Sequence, residues 1–341
     1  MIIRLQGGLG NQLFQYALYL ELRARGRMVK IDEESGFVSD RQRRPCLKEL
    51  SGVDYVCATD KEIKTLRDAF MDPASRIRRK LTGRKNREWE EPDGHFHPEV
   101  LTMDEVYLNG YFQSEEYFPD RTVREKLLMM FDESIKSRLL PGKDAYAAAD
   151  DSNTAGAFTG RCCRNLAERI TEDGGNSVSL HIRRGDYLQP GTAETHGGIC
   201  TEKYYEKAVS LMLERVPEAV FYVFSDDPGY AAGWVKEHND GQGRTVTDVR
   251  PVFVAADKPD GEDAQDPVNT EEETASADTE AIDDISSLLL MRMCRHHILA
   301  NSSFSWWGAW GADGEMLVPE RWFNNRADDG IYTDRMKRIE C

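Results

Sequence analysis

The sequence predicts an α/β protein of two domains, and three observations lead to that prediction. The chain has 341 residues, which is enough for two domains of ordinary size. Apolar residues make up 40% of it and aromatic residues 9%, so a large core can be buried. Short apolar segments alternate with helical ones near both ends of the chain, as they do in parallel sheets covered by helices. We therefore expect two α/β layers with a cleft between them.

The N-terminal segment predicts one strand–helix–strand unit. Residues 2–5 suit a short strand, and the glycine-rich residues 7–10 form a turn after it. Apolar side chains then recur at helical spacing over residues 12–25. A second strand at 28–31 ends in Asp32, which completes a βαβ unit.

The next two segments concern the edge and the end of the first domain. Residues 60–87 are basic and helical in pattern, with their apolar side chains on one side. This favours a solvated amphipathic helix pair, and a surface that faces a substrate or a membrane is the alternative. Residues 142–175 begin small and polar and then become helical. We place the domain boundary there, so that the predicted domains are 1–150 and 151–341.

The alternation of strands and helices resumes after residue 175. The predicted elements are a strand at 177–182, a helix at 204–215, a strand at 219–224, a helix at 288–293, a strand at 297–300 and a helix that begins at 306. The strand at 219–224 is apolar throughout, as strands buried in parallel sheets are. Residues 257–280 are acidic and poor in apolar side chains, which predicts a disordered surface insertion.

The composition excludes several classes of protein. The net charge is −16, but twelve acidic residues and one lysine lie between residues 257 and 284, so the acidity belongs mainly to one segment. No basic face is evident, which argues against a nucleic-acid partner. No apolar run reaches the roughly 18 residues of a membrane helix, and no signal-peptide pattern opens the chain. The seven cysteines are irregularly spaced, which indicates neither a disulfide framework nor a zinc site.

The first motif that carries chemistry is Gly-Gly-Leu-Gly-Asn-Gln at residues 7–12, between a strand and a helix. Glycines there admit positive φ and let a ligand approach the backbone, while a helix N-terminus offers N–H groups to an anion. A dinucleotide fingerprint is similar, with Asp32 placed to hold a ribose, although Leu13 stands where its third glycine belongs. A tight turn that binds no ligand is the other interpretation.

The second motif is HIRRGDY at residues 181–187, directly after a predicted strand. Strand ends in open α/β sheets are where ligands bind. Arg183 and Arg184 suit a diphosphate, because guanidinium groups bind phosphate oxygens bidentately and can stabilise the charge of a departing diphosphate. Asp186 places a carboxylate beside these cations. An arginine–aspartate ion-pair cluster on a loop is the alternative.

The third motif is ANSSFSWWGAW at residues 300–310, where a strand ends and a helix begins. Serine hydroxyls and the N–H groups of a helix N-terminus can together hold a phosphate. We expect the tryptophans to pack at the domain junction, and stacking against a sugar is the alternative.

The fourth motif is FSDD at residues 224–227, which ends a buried strand with two acidic residues. Paired aspartates can hold Mg²⁺ together with a diphosphate. Since the arginines of the second motif already supply a cation, we expect no metal, and we expect Asp226 to hydrogen-bond at the strand end.

Together the four motifs resemble those of the bacterial α-1,2-fucosyltransferases, glycosyltransferase family 11. The resembling segments are GGLGNQLFQYA at 7–17, HIRRGDY at 181–187, FSDD at 224–227 and ANSSFSWWGAW at 300–310. They occur in the family's order and span nearly the whole chain. The similarity to α-1,6- and protein O-fucosyltransferases is weaker. The resemblance implies a GT-B fold, in which two Rossmann-like domains face each other across a cleft, with the acceptor on the side of 1–150 and GDP-fucose held mainly by 151–341.

The resemblance also implies an activity, that of a galactoside α-1,2-fucosyltransferase. Such an enzyme moves L-fucose from GDP-β-L-fucose to the 2-hydroxyl of a terminal galactose with inversion, and needs no cofactor and no metal. Arg183 would act catalytically at the β-phosphate, and Asp186 would take the hydroxyl proton. Glu194 is the alternative base, in which case Asp186 only orients the arginines. The residues expected to bind GDP-fucose are Gly8, Gly10, Asn11, Gln12, His181, Arg183, Arg184, Asp226, Ser302, Ser303 and Phe304.

One position departs from the family pattern. The family usually has an aspartate near the start of the helix before the serine motif, in the register that Ser287 occupies here. Asp283 and Asp284 lie about one turn earlier. Either the helix start is shifted or another group recognises guanine.

The expected partners are GDP-fucose and an acceptor that is a galactose-terminated oligosaccharide or a lipid-linked glycan. We expect a cytoplasmic bacterial enzyme with at most peripheral contact with the inner membrane. Three other functions are weighed against this one: a glycosyltransferase for a different nucleotide sugar, a dinucleotide-binding oxidoreductase and a non-catalytic glycan-binding protein. An oxidoreductase function leaves the paired arginines and the serines unexplained. Competition between GDP-fucose and other nucleotide sugars would distinguish the proposed enzyme from a glycosyltransferase for a different donor.

Overall fold

A computed structural model of the protein describes residues 1–40, 42–67, 76–77, 80–81, 87–141, 155–238, 250–253, 282–326 and 329–340. The acidic insertion expected at 257–280 lies outside these residues. The domain boundary expected between residues 150 and 151 also lies outside them. Both stay predictions.

The first sheet is parallel and has four strands. They are β1 (Ile2–Arg4), β2 (Lys30–Asp32), β3 (Glu88–Glu90) and β4 (Tyr107–Asn109), in the order β2-β1-β4-β3. The helices that accompany them are α1 (Leu9–Ala24), α2 (Asp60–Leu66) and α3 (Arg121–Arg138). Because β1 and β4 are neighbours, the segments that follow them meet at the same edge of the sheet.

The second sheet is also parallel and has six strands, in the order β10-β9-β8-β5-β6-β7. They are β5 (Ser177–Ile182), β6 (Val220–Ser225), β7 (Arg250–Phe253), β8 (His296–Ile298), β9 (Met316–Pro319) and β10 (Met336–Ile339). Its helices are α4 (Ala155–Asp173), α5 (Thr192–His196), α6 (Glu202–Arg215), α7 (Pro228–His238), α8 (Asp284–Met293) and α9 (Ser303–Ala309). The strand β5 lies between β8 and β6, so the segments that follow these three strands lie side by side.

Two parallel sheets with accompanying helices confirm the α/β class and the two Rossmann-like domains expected for a GT-B fold. The strand predicted at 177–182 has those bounds. The helix expected from residue 288 begins earlier, at Asp284, because Asp283 caps it by accepting the backbone N–H of Ser286 at 3.0 Å.

The basic stretch 60–87 forms a shorter first helix than its pattern predicts. The helix α2 ends at Leu66, and Arg67 is extended, with its Nε 3.0 Å from Glu88 Oε2. Much of the rest of this stretch lies outside the described residues, so the second helix of the expected pair stays a prediction. None of the helices in the described residues has the length and apolar character needed to cross a bilayer.

Aromatic side chains join the two domains in one core. The ring of Phe14 on α1 lies 4.6 Å from that of Trp306 and 5.0 Å from that of Trp307, both on α9. Phe118 stacks on Trp307 at 5.7 Å. Both tryptophans are fully buried. The expectation that they pack at the domain junction is therefore confirmed, and neither has an exposed face for a sugar.

The helices α1 and α9 approach so closely that Gly10 has no room for a side chain. A Cβ at Gly10 would lie 2.4 Å from the carbonyl carbon of Ser303 and 2.5 Å from the backbone nitrogen of Phe304. Real atoms do not approach so closely, so only glycine fits. The glycine motif and the serine motif therefore meet directly at the junction.

Candidate active site

The segments that follow β1, β4, β5, β6 and β8 line one cleft. Its volume is about 580 Å³, which lies within the range of small-molecule sites. Asn11 and Tyr111 contribute from the first domain, and His181, Asp226 and Ser303 from the second. The cleft is thus formed at the strand ends of both sheets, where ligands of α/β proteins bind.

Arg183 lines the cleft, and Asp226 holds it there. Asp226 Oδ2 lies 3.0 Å from Arg183 Nε, and Asp226 Oδ1 accepts the backbone N–H of Arg184 at 2.9 Å. Gly185 permits this packing, because a Cβ there would lie 2.5 Å from Asp226 Oδ2. Both carboxylate oxygens are therefore engaged by the arginine motif. The expected hydrogen bonding of Asp226 at the strand end is confirmed, and the absence of a metal stays a prediction.

Arg184 does not line the cleft. Its guanidinium carbon lies 3.7 Å from the centre of the Tyr230 ring, and its Nε lies 3.4 Å from Asp227 Oδ2. The structure therefore does not bring Arg184 to the expected donor site. Of the two arginines, Arg183 is the one positioned to contact a ligand in the cleft.

His181 lies at the end of β5 and offers the cleft a neutral N–H group. Its Nδ1 is hydrogen-bonded to Ser305 Oγ, and that oxygen also accepts the backbone N–H of Ala300 at 3.2 Å. The hydroxyl has one proton, and His181 Nδ1 is the acceptor that the described residues offer it. The ring proton is then on Nε2. Burial lowers the pKa of His181 to about 3, so the ring is neutral near pH 7.

The serine motif reaches the same cleft. Ser302 caps α9, with its Oγ 3.3 Å from the backbone nitrogen of Phe304. Ser302, Ser303 and Phe304 all line the cleft, and Ser303 and Phe304 are partly exposed in it. The structure therefore brings this predicted group together with Arg183 and His181.

Four residues of the glycine motif line the cleft from the first domain: Gly8, Leu9, Gly10 and Asn11. Gly7 precedes them with a φ of 77°, the left-handed conformation that the motif predicts for a glycine. The Asn11 side chain accepts a hydrogen bond from Gln113 Nε2 at 2.7 Å.

Gln12 has a different role from the one expected. It is fully buried and does not line the cleft. Its Nε2 donates to the carbonyl oxygens of Gly7 and Arg44, both at 2.9 Å, and its Oε1 accepts the backbone N–H of Cys46 at 3.0 Å. All of its amide groups are engaged, so Gln12 joins the glycine turn to the segment at 44–46 and does not contact a ligand there.

Asp32, which a dinucleotide site would use for ribose, is occupied within the fold. It is buried, and it accepts a hydrogen bond from the Tyr107 hydroxyl at 2.6 Å and from the backbone N–H of Ser35 at 3.1 Å. Burial opposes its ionisation, but hydrogen bonds from Ser35 and Tyr107 outweigh burial and lower the pKa of Asp32. Asp32 is therefore not available for the ribose that the oxidoreductase interpretation assigned to it.

The structure describes only one of the two side chains that were proposed as the catalytic base. The side chain of Asp186 lies outside the described part of the structure, and its role stays a prediction. Glu194 lies on α5, is exposed and does not line the cleft. The carboxylates that line the cleft in the described residues are Asp226 and Asp284.

The departure at Ser287 has a structural explanation. Ser287 is fully buried, and its hydroxyl has no partner among the described residues. Asp284 lies one turn earlier, in the first turn of α8, and lines the cleft. The helix start at Asp284 agrees with the first alternative, and the group that recognises guanine stays a prediction.

Possible metal ligands lie elsewhere in the described structure. Glu202, Glu206 and His238 place their ligand atoms within 4.8 Å of one another on α6 and α7. Both glutamates are exposed, and His238 Nδ1 already bonds the carbonyl oxygen of Trp234 at 2.7 Å. None of the three lines the cleft.

Several residues that line the cleft were missed by sequence reasoning. They include Gln42, Arg43, Tyr111, Gln113 and Arg326. Tyr111 and Gln113 follow β4, a three-residue strand that the apolar pattern did not reveal. Asp284 belongs to the acidic pair that the sequence analysis placed one turn before Ser287.

An anchored guanidinium at the edge of one Rossmann-like sheet, facing the glycine turn of a second, is an arrangement suited to nucleotide-sugar transfer. Fold and site together define the class as glycosyltransferases of GT-B architecture. Residues 146–250 match the family model described as "Glycosyl transferase family 11". This match and the two relatives below make the chain similar to members of glycosyltransferase family 11.

Two curated relatives come from Escherichia coli. One, named "Alpha-1,2-colitosyltransferase", is 29% identical over 328 residues, which cover 95% of this chain and 92% of the relative. The other, named "O-antigen biosynthesis glycosyltransferase WbnK", is 28% identical over 346 residues and is covered to 95%, as is this chain. Among solved structures, a GDP complex of Arabidopsis thaliana FUT1 is 12% identical and has a TM-score of 0.41, covering 98% of this chain and 71% of that one.

Proposed function

We propose that this chain is a galactoside α-1,2-fucosyltransferase, which moves L-fucose from GDP-β-L-fucose to the 2-hydroxyl of a terminal galactose with inversion. The observation that carries the proposal is Arg183, which Asp226 holds in the cleft alongside His181 and Ser303. A diphosphate leaving group needs a fixed cation, and a guanidinium group matches phosphate oxygens better than an ammonium group does.

The reaction is a single displacement. The galactose O2 bonds to C1 of fucose while the bond from C1 to the β-phosphate oxygen of GDP breaks, through an oxocarbenium-like transition state. Arg183 stabilises the charge that develops on the departing diphosphate. The hydroxyl proton passes to a carboxylate, and Asp186, on the loop after β5, is the proposed base.

The proposed reaction uses no metal. Arg183 and the serines at the start of α9 supply the stabilisation of charge that Mg²⁺ would otherwise provide. Asp226 is already paired with Arg183 Nε and with the backbone N–H of Arg184, so its negative charge is offset by the arginine motif.

Asp284 is the proposed partner of guanine. A carboxylate can accept two hydrogen bonds from the N1–H and the amino group of guanine. The neighbouring Asp283 is committed elsewhere, since Arg138 Nη2 lies 2.9 Å from its Oδ1 and Ser286 Oγ donates to its Oδ2 at 2.8 Å. Replacing Asp284 with Asn should weaken GDP binding more than IDP binding, because IDP lacks the amino group.

The proposed acceptor is a galactose-terminated oligosaccharide or a lipid-linked glycan. We place the enzyme in the bacterial cytoplasm, with at most peripheral contact with the inner membrane. The relative named for O-antigen biosynthesis supports a role in assembling a surface polysaccharide.

A second candidate function is transfer of colitose, which is fucose without its 3-hydroxyl. The relative named as a colitosyltransferase favours it. The two functions share the GDP site and the displacement reaction. They differ in whether the site forms a hydrogen bond with the 3-hydroxyl of the donor sugar. A site that hydrogen-bonds a hydroxyl discriminates strongly against an analogue that lacks it, so the two donors should be separable by kcat/KM.

The test is an assay of purified protein in EDTA with lactose and, in parallel, GDP-fucose, GDP-colitose and GDP-mannose. Release of GDP with formation of an α-1,2-fucosyl galactoside supports the proposal. A higher kcat/KM for GDP-colitose establishes the second candidate instead. Turnover only when a divalent metal is added would contradict the arginine-based mechanism. Asp186→Asn should abolish transfer and Glu194→Gln should not.

A further inference from the structure

The segment after β4 holds a bulky residue in an unfavourable backbone conformation. Phe112 has a φ of 54°, in the left-handed region that favours glycine. Its ring is fully buried, stacked on Trp89 at 6.1 Å and edge-on to Tyr117 at 5.4 Å. Such a conformation costs about 1–3 kcal/mol and persists where surrounding structure imposes it.

Glu91 imposes the conformation. Its Oε2 accepts the backbone N–H of Tyr111 at 2.8 Å, and its Oε1 accepts that of Phe112 at 3.1 Å. On the other side, Gln15 Nε2 donates to the carbonyl oxygen of Gly110 at 2.9 Å. Gly110 is packed so tightly that a Cβ there would lie 2.6 Å from that of Glu91. The turn at 110–113 is therefore fixed before any ligand binds.

The turn places two side chains in the cleft on either side of the buried Phe112. Tyr111 and Gln113 both line it, on the wall opposite the domain that carries Arg183. Gln113 Nε2 donates to Asn11 Oδ1 at 2.7 Å, while Gln113 Oε1 bonds no described residue. The ring of Tyr111 lies against Gly7, where a Cβ would be 3.1 Å from its Cε1.

We infer that Tyr111 and Gln113 form the acceptor subsite, which binds the terminal pyranose of an uncharged glycan, and that Glu91 is the residue that positions them. The inference rests on the proposed function, because it assigns the second substrate of the same cleft. The Tyr111 ring contacts the C–H face of the sugar, and Gln113 Oε1 accepts a hydrogen bond from a sugar hydroxyl.

A rigid turn at 110–113 would benefit acceptor binding, and this benefit can offset the cost of the strained conformation of Phe112. A loop that orders only on binding loses part of the contact energy to conformational entropy, whereas a loop fixed by Glu91 and Gln15 does not. A hydroxyl must also be held within reach of the sugar carbon it attacks, and a small misplacement slows the reaction. A fixed turn meets both needs.

The test separates the two substrates. We expect Tyr111→Ala to raise the KM for lactose by about 10-fold and Gln113→Ala by about 5-fold, with the KM for GDP-fucose changed less than about 2-fold. Glu91→Gln should also raise the lactose KM, and the neighbouring exposed Glu90→Gln should not. An unchanged lactose KM in Tyr111→Ala, or an equal rise in both KM values, overturns the inference.

Two binding measurements keep this test independent of turnover. Calorimetry with GDP reads the donor site, and absence of GDP binding by the native protein counts against the proposed function itself. Saturation-transfer NMR with lactose reads the acceptor subsite. Loss of the lactose signal in Tyr111→Ala, with GDP affinity retained, supports the subsite. A lactose signal equal to that of the native protein overturns it, whatever the donor proves to be.

Discussion

Two adjacent arginines in the second motif have different surroundings. Arg183 lies in the cleft with Asp226 beside its Nε, while Arg184 stacks on Tyr230 and does not line the cleft. Sequence alone could not distinguish them, because each of the two aspartates that follow β6 can pair with either arginine. The different surroundings of the two arginines arise from the pairing of β5 with β6. Because Ile182 lies opposite Ser225, Asp226 follows its strand directly beside the loop that carries Arg183 and Arg184.

Replacing Arg183 with Lys should lower kcat by about 100-fold, the effect of removing one fixed donor to a developing negative charge. A lysine keeps the charge but loses the planar fork that fits a diphosphate. Arg184→Lys keeps a cation near Asp227, and its kcat should fall less than about 3-fold. Steady-state kinetics with GDP-fucose measures both. Equal losses in the two variants would mean that Arg184 also contacts the donor.

Ser305 should determine which nitrogen of His181 carries the proton. In the native protein, long-range ¹H–¹⁵N NMR near pH 7 should show His181 protonated on Nε2, and Ser305→Ala should convert it to a mixture of tautomers. Ser305→Thr, which keeps the hydroxyl, should restore the native form. The His181→Gln spectrum assigns the signal. An unchanged tautomer in Ser305→Ala would show that the hydroxyl does not control the ring.

At the scale of elements, apolar pattern and length decided what could be predicted. The strand β5 was predicted with its observed bounds because Val178, Leu180 and Ile182 alternate with polar residues, which is the pattern of a strand. The strands β3 and β4 were missed because each has three residues, and Glu88–Glu90 carries a glutamate at both ends. They form because β4 pairs with β1 and β3 pairs with β4, and no local pattern reports these long-range contacts. The missed acceptor-side residues of the cleft follow from these missed strands.

The packing of α1 against α9 should make Gly10 intolerant of the smallest side chain. Gly10→Ala would place a methyl group against the backbone of Ser303, so we expect a loss of about 1–3 kcal/mol in the free energy of unfolding. Gly233 on α7 is the matched control, since a Cβ there meets nothing within 4 Å. Gly233→Ala should stabilise the protein by about 0.5–1 kcal/mol. Urea unfolding measures both, and similar effects in the two variants would contradict the close approach.

At the scale of the whole molecule, the core contains titratable groups that the fold keeps neutral. Besides His181, His297 on β8 is fully buried, with its Nδ1 2.7 Å from Ser179 Oγ. Burial lowers the pKa of His297 to about 3, as it does that of His181. An unfolded chain would protonate both near the usual value of about 6.5. Acid therefore favours the unfolded state.

The stability of the protein should fall as the pH drops below about 6.5, because the unfolded state then binds protons that the folded state refuses until about pH 3. Between pH 7.5 and pH 5 each of the two histidines should lower the free energy of unfolding by on the order of 2 kcal/mol. His297→Asn should remove about half of this dependence, and the exposed His95→Asn none of it. Urea midpoints at the two pH values test this. A native protein as stable at pH 5 as at pH 7.5 would contradict it.

The packing of Phe14 against Trp306 and Trp307 bears on any attempt to build chimaeras of this protein with its relatives. A simple exchange of donor and acceptor preferences would treat the two domains as separate modules and cut the chain near residue 150. Yet α1, from one module, completes the core of the other, and Gly10 must match the backbone of its partner helix. A productive recombinant should therefore inherit α1 and α9 from the same parent, with the crossovers moved to the strands on either side of them.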